Sequence, residues 1–288
     1  MIKNHPHGKK LRHVFAGFPV LWFFLFLTGP LLYLMSLSLV QRGLYGGIEW
    51  TVTGDNYLRV IDPLYGLIFL RSIFLAAATT LICLLLSLPT AWAIVSLPLR
   101  LRFAALVFFV LPFVVNMISR IYAIRSVLAY DGPVIWLAQG LGLSGVSADV
   151  LSQNSVVVLF GMVTTYLPFM FFPIYVALEK MDFSQQEAAM DLGASPFAAF
   201  LKVVMPQIRP AVATGLIMVF VPSLGEFVIP DLLGGAQVML AGNLVTEQFL
   251  KARDWPFGAA LAMSLIAQMC LFIWLINLWG SSLSKRSR

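Results

Sequence analysis

The chain carries apolar runs too long and too free of charge to belong to an ordinary soluble core. Residues 14–40 are 27 consecutive positions without Asp, Glu, Lys or Arg, and residues 72–99 form a second such stretch. A third, 103–119, is charge-free and continues past Arg120. Residues 154–178, 211–230 (interrupted only by Glu226) and 255–284 complete a set of six. About 20 helical residues cross the roughly 30 Å hydrocarbon layer of a bilayer. Inside it every backbone N–H and C=O needs a partner within the chain, which a helix supplies. A membrane barrel would instead show short alternating strands. With 60% hydrophobic and 11% charged residues, the chain lies well above the roughly 45–50% apolar content of soluble domains.

The expectation is therefore an all-α polytopic membrane protein. Six transmembrane helices are placed at about 14–40, 68–98, 103–128, 154–178, 211–230 and 256–281, within one membrane domain spanning 14–284. A tail, 1–13, precedes them, a connector, 179–210, separates the fourth and fifth, and a basic tail, 285–288, follows. The first run is preceded by Lys9, Lys10 and Arg12 and contains a weak small-x-small site at Ser36-Leu37-Ser38. At 27 residues it is far longer than the roughly 7–15-residue core of a signal peptide, so it is read as a retained helix.

Orientation follows the basic residues in the connections. Placing the N-terminus inside puts twelve Lys and Arg in inner segments and seven in outer ones, with both termini in the cytoplasm of a cell (inner) membrane. The net charge of +6 then reads as topology and attraction to anionic headgroups. Cys83 and Cys270 fall inside apolar runs and read as buried thiols without a disulfide framework. His5, His7 and His13 cluster in the tail, where a metal site or a solvated segment are both open, the latter being the plainer reading.

The connector departs from the rest in character. Ser184 and Glu187 have the Ser-x-x-Glu spacing of a capping box that opens a helix at Gln185. Gly193 suits the left-handed turn that closes a helix. Ser195-Pro196 reads as an N-cap followed by proline at the first helical position, starting a second helix that stops before Pro206. The expected form is a helix, a turn and a helix along the membrane surface. The bland alternative is an interfacial connector obeying ordinary capping rules.

The spacing across this connector carries a resemblance. Glu187-Ala188-Ala189, three residues, Gly193, nine residues, then Val203-Val204-Met205-Pro206 is similar to the cytoplasmic signature of ABC importer permeases, with Val203 and Met205 in place of Ile and Leu. The wider chain resembles the permeases of polyamine (putrescine and spermidine) ABC importers. The likeness is carried by Arg120-Ile121-Tyr122-Ala123, Leu167-Pro168-Phe169-Met170, Gly225-Glu226-Phe227-Val228-Ile229-Pro230 and Arg253-Asp254-Trp255-Pro256-Phe257-Gly258. It implies a type I importer permease (MetI-like) fold. The implied partners are a second permease, giving a heterodimer, two ABC ATPase subunits, and a periplasmic or extracytoplasmic solute-binding protein. No cofactor is implied in this chain; ATP and Mg belong to the partner ATPase. By the same resemblance Glu187, Ala188, Ala189, Asp191, Gly193 and Pro206 belong to a coupling helix and its surroundings, which an ATPase moves. Close relatives that import opines or other small solutes leave the cargo open.

Glu226 is the other residue that asks for an explanation, since a carboxylate within a span is costly unless paired, neutralised or facing water. Counted along a continuous helix from Ala211, it falls about 22 Å in, toward the outer third of the fifth span. It either lines a path for a cationic solute or serves as a structural partner for Arg120 or Arg125. Asp231 is a candidate at the outer mouth or a solvated loop acid. Tyr166, Trp255 and Phe227 either offer cation–π faces or anchor the interface. The glycine-marked connection 41–71 and the Gly/Ser-rich stretch 129–153 read as external surfaces. Pro89, Pro112 and Pro168 read as kinks.

A stand-alone secondary carrier is the competing transport class, but no internal repeat of the expected kind is visible. An enzyme is disfavoured because the histidines all lie in the tail and no Gly-x-Ser-x-Gly occurs. A Walker A loop is likewise absent from the sequence.

Overall fold

The computed structural model describes residues 17, 19–43, 46–129, 132–141 and 154–281. The tail histidines His5, His7 and His13, the acids Asp131 and Asp149, and the terminal basic residues Lys3, Lys9, Lys10, Arg12, Lys285, Arg286 and Arg288 lie outside them. The described chain is helical apart from one hairpin. In order it comprises α1 (Pro19–Ser38), β1 (Val40–Arg42), β2 (Ile48–Val52), α2 (Asp55–Val60), α3 (Pro63–Val95), α4 (Leu99–Val114) and α5 (Met117–Val127). These are followed by α6 (Pro133–Gly140), α7 (Ser155–Glu179), α8 (Ser184–Asp191), α9 (Pro196–Leu224), α10 (Ala241–Leu250) and α11 (Trp255–Ser281). Five of these helices, α1, α3, α7, α9 and α11, are long and apolar enough to cross a membrane, and a sixth span results if α4 and α5 are taken together.

Two compact units form. The smaller contains the described residues up to 62 together with 245–264. Its core is Leu37, Val40 and Ala259, covered by Leu34, Ile48 and Phe249. The connection 41–71 carries regular structure: β1 and β2 pair antiparallel. Buried Asn56 on α2 donates to the carbonyls of Ser38 and Val40, which fastens α2 to the end of α1. Asp254, 3% exposed, accepts from Arg59 at 3.1 Å and from the amide of Phe257 at 3.2 Å, with Arg42 at 3.9 Å. It therefore both caps α11 and neutralises Arg42 of the hairpin and Arg59 of α2.

The larger unit, the described residues within 63–244 and 265–281, is built on α3, α7 and α9. Met162, Met170, Phe171, Ile174 and Leu178 of α7 meet Cys83 and Ala91 of α3 and Val204, Ile208 and Val219 of α9 in one buried cluster. Cys83 is fully buried, whereas Cys270 is exposed on α11, against the expectation that both thiols are buried. The apolar faces turned outward here suit a chain whose solvent is lipid.

The third and fifth spans differ from their expected outlines, and the connection between the third and fourth holds a helix. The third is broken: α4 and α5 meet at 84°. The break sits at Asn116 and not at Pro112, because the Asn116 carboxamide accepts from the amide of Ile118 at 2.8 Å and caps α5. The stretch 129–153 contains a helix, α6, in its described part. The fifth span begins far upstream of residue 211, at Pro196, and ends at Leu224, short of residue 230.

Candidate functional site

The connector between α7 and α9 is built from local capping chemistry. Ser184 is not the cap of α8: the helix starts with it, Phe183 stands at the N-cap, and no side-chain cap bond is made there. Instead, the Asp182 carboxylate accepts from the amide of Ser184 at 3.0 Å, an Asx turn that leads into the helix. That bond and the Ser184 side chain hold the Asp182 carboxyl below its ordinary value. The far end of α8 is closed by Gly193 at φ +90°. The amide of Gly193 bonds the Met190 carbonyl at 2.9 Å and that of Ala194 bonds the Ala189 carbonyl at 3.0 Å, the two bonds of a Schellman motif. Ser195 then caps α9, its hydroxyl accepting from Ala198 at 3.3 Å, with Pro196 at the first helical position.

Pro206 does not stop this helix. A π-helical turn, Phe200–Val204, precedes it, and α-helix resumes at Met205 with Pro206 near its start. The wider turn accommodates a residue with no N–H to give. The connector is thus a short helix, a tight turn and the long fifth span itself, and not two surface helices.

Around the turn, Glu187, Ala188, Asp191 and Gly193 are exposed and Ala189 is half-buried. Leu192 at 90% exposure and Phe197 at 72% flank it. Two large apolar residues bracketing a glycine stop are the sequence signal for them. Exposed apolar groups on a capped, rigid hairpin suit a protein contact. Behind them, a groove of about 460 Å³ is lined by Trp92, Arg102, Glu179, Phe183, Gln186 and Glu187. Arg102 donates to the carbonyl of Val95 and lies 3.6 Å from Glu179, which in turn accepts from the Tyr175 hydroxyl at 2.8 Å.

The second cluster lies at the end of the fifth span. Glu226 is not on a continuous helix: α9 ends at Leu224, and residues 226 and 227 are non-helical. The residue is 7% exposed. Its Oε1 accepts from the amides of Phe227 at 3.0 Å, Val228 at 2.9 Å and Ile229 at 3.3 Å. Its Oε2 accepts from the Tyr166 hydroxyl. Glu226 therefore caps the short helical segment that follows, a charge placed at a helix N-terminus. Among the described residues it forms an ion pair with neither Arg120 nor Arg125. Gly242 makes the close packing possible, since a Cβ there would come within 2.5 Å of the Gly225 carbonyl oxygen and 2.7 Å of that of Glu226.

Arg120 has other work. It donates to the carbonyls of Thr164 at 2.9 Å and Val115 at 3.1 Å. In a helix Thr164 would bond the amide of residue 168, but that residue is Pro168, with no N–H to give. The guanidinium fills the vacancy and ties the break between α4 and α5 to the proline of α7.

Asp231 is exposed on the π-helical turn Pro230–Gly234 and shares a pocket of about 210 Å³ with Arg125. Trp255 belongs to the smaller unit, where it meets Phe249 edge-on at 6.2 Å. Of the four expected pathway residues, then, Tyr166 and Glu226 are joined directly. Among the described residues no group of His, Cys, Asp and Glu is arranged to hold a metal.

The profile of the family described as "Binding-protein-dependent transport system inner membrane component" matches residues 66–287. The chain is 36% identical over 261 residues to the spermidine/putrescine transport system permease protein PotB of Escherichia coli (strain K12), covering 91% of this chain and 94% of that one. It is 29% identical to the inner membrane ABC transporter permease protein YdcU of the same organism, over 96% of each. In fold it is similar to a chain of a bacterial alginate ABC transporter crystallised with an alginate pentasaccharide-bound periplasmic protein. The TM-score is 0.78 at 14% identity, over 97% of this chain and 96% of that one. With six apolar stretches, a capped connector and these relatives, the chain belongs to the binding-protein-dependent transport system inner membrane components and is an ABC importer permease.

Proposed function

We propose that this permease carries polyamines such as putrescine or spermidine across the membrane by alternating access, driven by a separate ATPase. The observation that carries the cargo is the identity to PotB over 91% of the chain. What supports the drive is the connector: Glu187, Ala188, Ala189 and Asp191 lie on a short helix stopped by Gly193, and Leu192 and Phe197 stand exposed beside it. Two ATPase subunits, holding ATP and Mg, dock there; this chain hydrolyses nothing and holds no cofactor. A second, different permease completes the pathway, and an extracytoplasmic binding protein delivers the solute. Both termini are cytoplasmic in this reading, which the bias of basic residues supports.

In the pathway, Glu226 acts as the brace that fixes the end of the fifth span. With three amides and a phenol on it, its carboxylate is already saturated. Tyr166 holds it, and exposed Asp231 is the carboxylate left to attract a dication. The test is uptake into proteoliposomes holding the permease pair, its ATPase and its binding protein. ATP-dependent accumulation of labelled putrescine or spermidine is expected. Accumulation of neither, with an opine taken up instead, would replace the cargo and keep the transport class.

A further inference from the structure

We propose that Trp92, near the end of α3, is a positioning residue that registers both ends of the coupling connector on the second span. The proposal rests on the reading of that connector as the part an ATPase moves. The indole meets Phe183 edge-on, with centroids 5.6 Å apart and planes at 84°. It meets Phe200 edge-on as well, at 5.4 Å and 85°. Phe183 immediately precedes α8, and Phe200 opens the π-helical turn of α9. One ring of α3 thus touches the chain where it goes into the helix-turn segment and where it leaves it. Glu187, Leu192, Gly193 and Phe197 all lie between those two contacts.

Edge-to-face aromatic contacts depend on ring orientation, so they transmit rotation as well as displacement. The polar links nearby are weaker tethers. Gln207 on α9 donates to the side chain of Gln185 on α8 at 3.2 Å in an exposed position, and Arg102 reaches Glu179 at 3.6 Å. Trp92, Phe183 and Phe200 are half-buried and belong to the packed periphery of the main core. A push on α8 therefore reaches α3 and α9 together through packed rings. Without the indole, the push has room to bend the connector and leave α3 behind.

The experiment uses the whole importer in proteoliposomes: permease pair, ATPase and binding protein. ATP hydrolysed and solute imported are measured together in wild type, Trp92→Ala and Trp92→Phe. We expect Trp92→Ala to keep hydrolysing ATP while import per ATP falls about fivefold, within the range by which residues between coupled sites alter coupling. Trp92→Phe restores most of the ratio. Phe183→Ala and Phe200→Ala lower it similarly, and each adds little when combined with Trp92→Ala, since each removes a contact that Trp92→Ala has already removed. An unchanged ratio in an assembled Trp92→Ala importer overturns the proposal. If Trp92→Ala does not assemble, the wild-type complex decides. With fluorotryptophan incorporated, the resonance of Trp92, identified by its loss in Trp92→Phe, shifts between the nucleotide-free and vanadate-trapped states, and a resonance that stays put overturns the proposal. A wild-type complex that hydrolyses ATP and imports nothing refutes the importer reading instead, a result distinct from a variant that loses import from a working parent.

Discussion

The fifth span is bounded by two helix breaks that solve the same problem by different means. Before it, between α8 and α9, the chain turns through Gly193 and restarts on Ser195. After it, the chain leaves helix at Gly225 and restarts on Glu226. Each restart leaves backbone amides without helical carbonyls to bond. In the first break the chain is exposed, and one serine hydroxyl accepts a single amide at 3.3 Å, in a segment open to solvent. In the second the restart residue, Glu226, is 7% exposed, and its one side chain accepts three amides and a phenol hydroxyl. The difference is the solvent: where water cannot serve, the protein must supply every partner itself.

Glu226 should give the largest effect. Glu226→Ala strands three amides and the Tyr166 hydroxyl in a buried site, and a cost of about 3 kcal/mol is expected. Glu226→Gln keeps an amide oxygen for the backbone amides and loses mainly the charge, so it should cost less than half as much. The check is thermal unfolding of the purified permease in detergent, with the order wild type, Gln, Ala. If Ala and Gln unfold alike and close to wild type, the capping role is wrong. Uptake supplies the second half of the comparison: a brace predicts that uptake by Glu226→Gln follows stability, whereas a solute ligand predicts lost uptake at near-native stability.

What could be read from sequence divides along the same line. The glycine stop and the Ser195-Pro196 restart are written in neighbouring residues, and six apolar stretches announce the membrane. The Glu226 brace could not be read that way, because its partner Tyr166 lies 60 positions away and its helix-capping role depends on a break that the apolar run conceals. Counting from Ala211 along one helix placed Glu226 on a span that had already ended at Leu224. The Arg120 contact was closer to legible. Pro168 necessarily leaves the Thr164 carbonyl without its helical partner, and a cation in a neighbouring apolar run is the natural donor. Ser184 misled for a local reason: Asp182, two residues earlier, bonds the same region first.

Gly193 should give the intermediate effect, and in function more than in fold. Its φ of +90° is strained for a residue with a Cβ, at about 1–2 kcal/mol. Nothing lies within 4 Å of where that Cβ would be, so the cost is conformational and not steric. Gly193→Val should therefore assemble and yet displace Leu192 relative to Phe197, and ATP-driven uptake should fall while ATPase binding survives. Gly193→Asn, which tolerates the left-handed region better, should recover part of the uptake. Normal uptake by Gly193→Val would count against a lever role for the connector.

Ser195 should give the smallest effect, and it makes the comparison quantitative. Its hydroxyl accepts one amide, that of Ala198, in an exposed position, and Pro196 already fixes the first helical residue and removes one amide from those needing a partner. Ser195→Ala should then cost about 0.5–1 kcal/mol, the low end for loss of an N-cap. Water can reach the freed amide, so no buried group is left unpaired. Set beside Glu226→Ala in the same detergent unfolding measurement, it isolates the solvent as the variable: two N-caps are removed, one at each break that bounds the fifth span, one wet and one dry. A Ser195→Ala loss as large as that of Glu226→Ala would mean that the connector is sealed from water by its own fold, and that its rigidity comes from packing and not from the glycine and serine that define its turn.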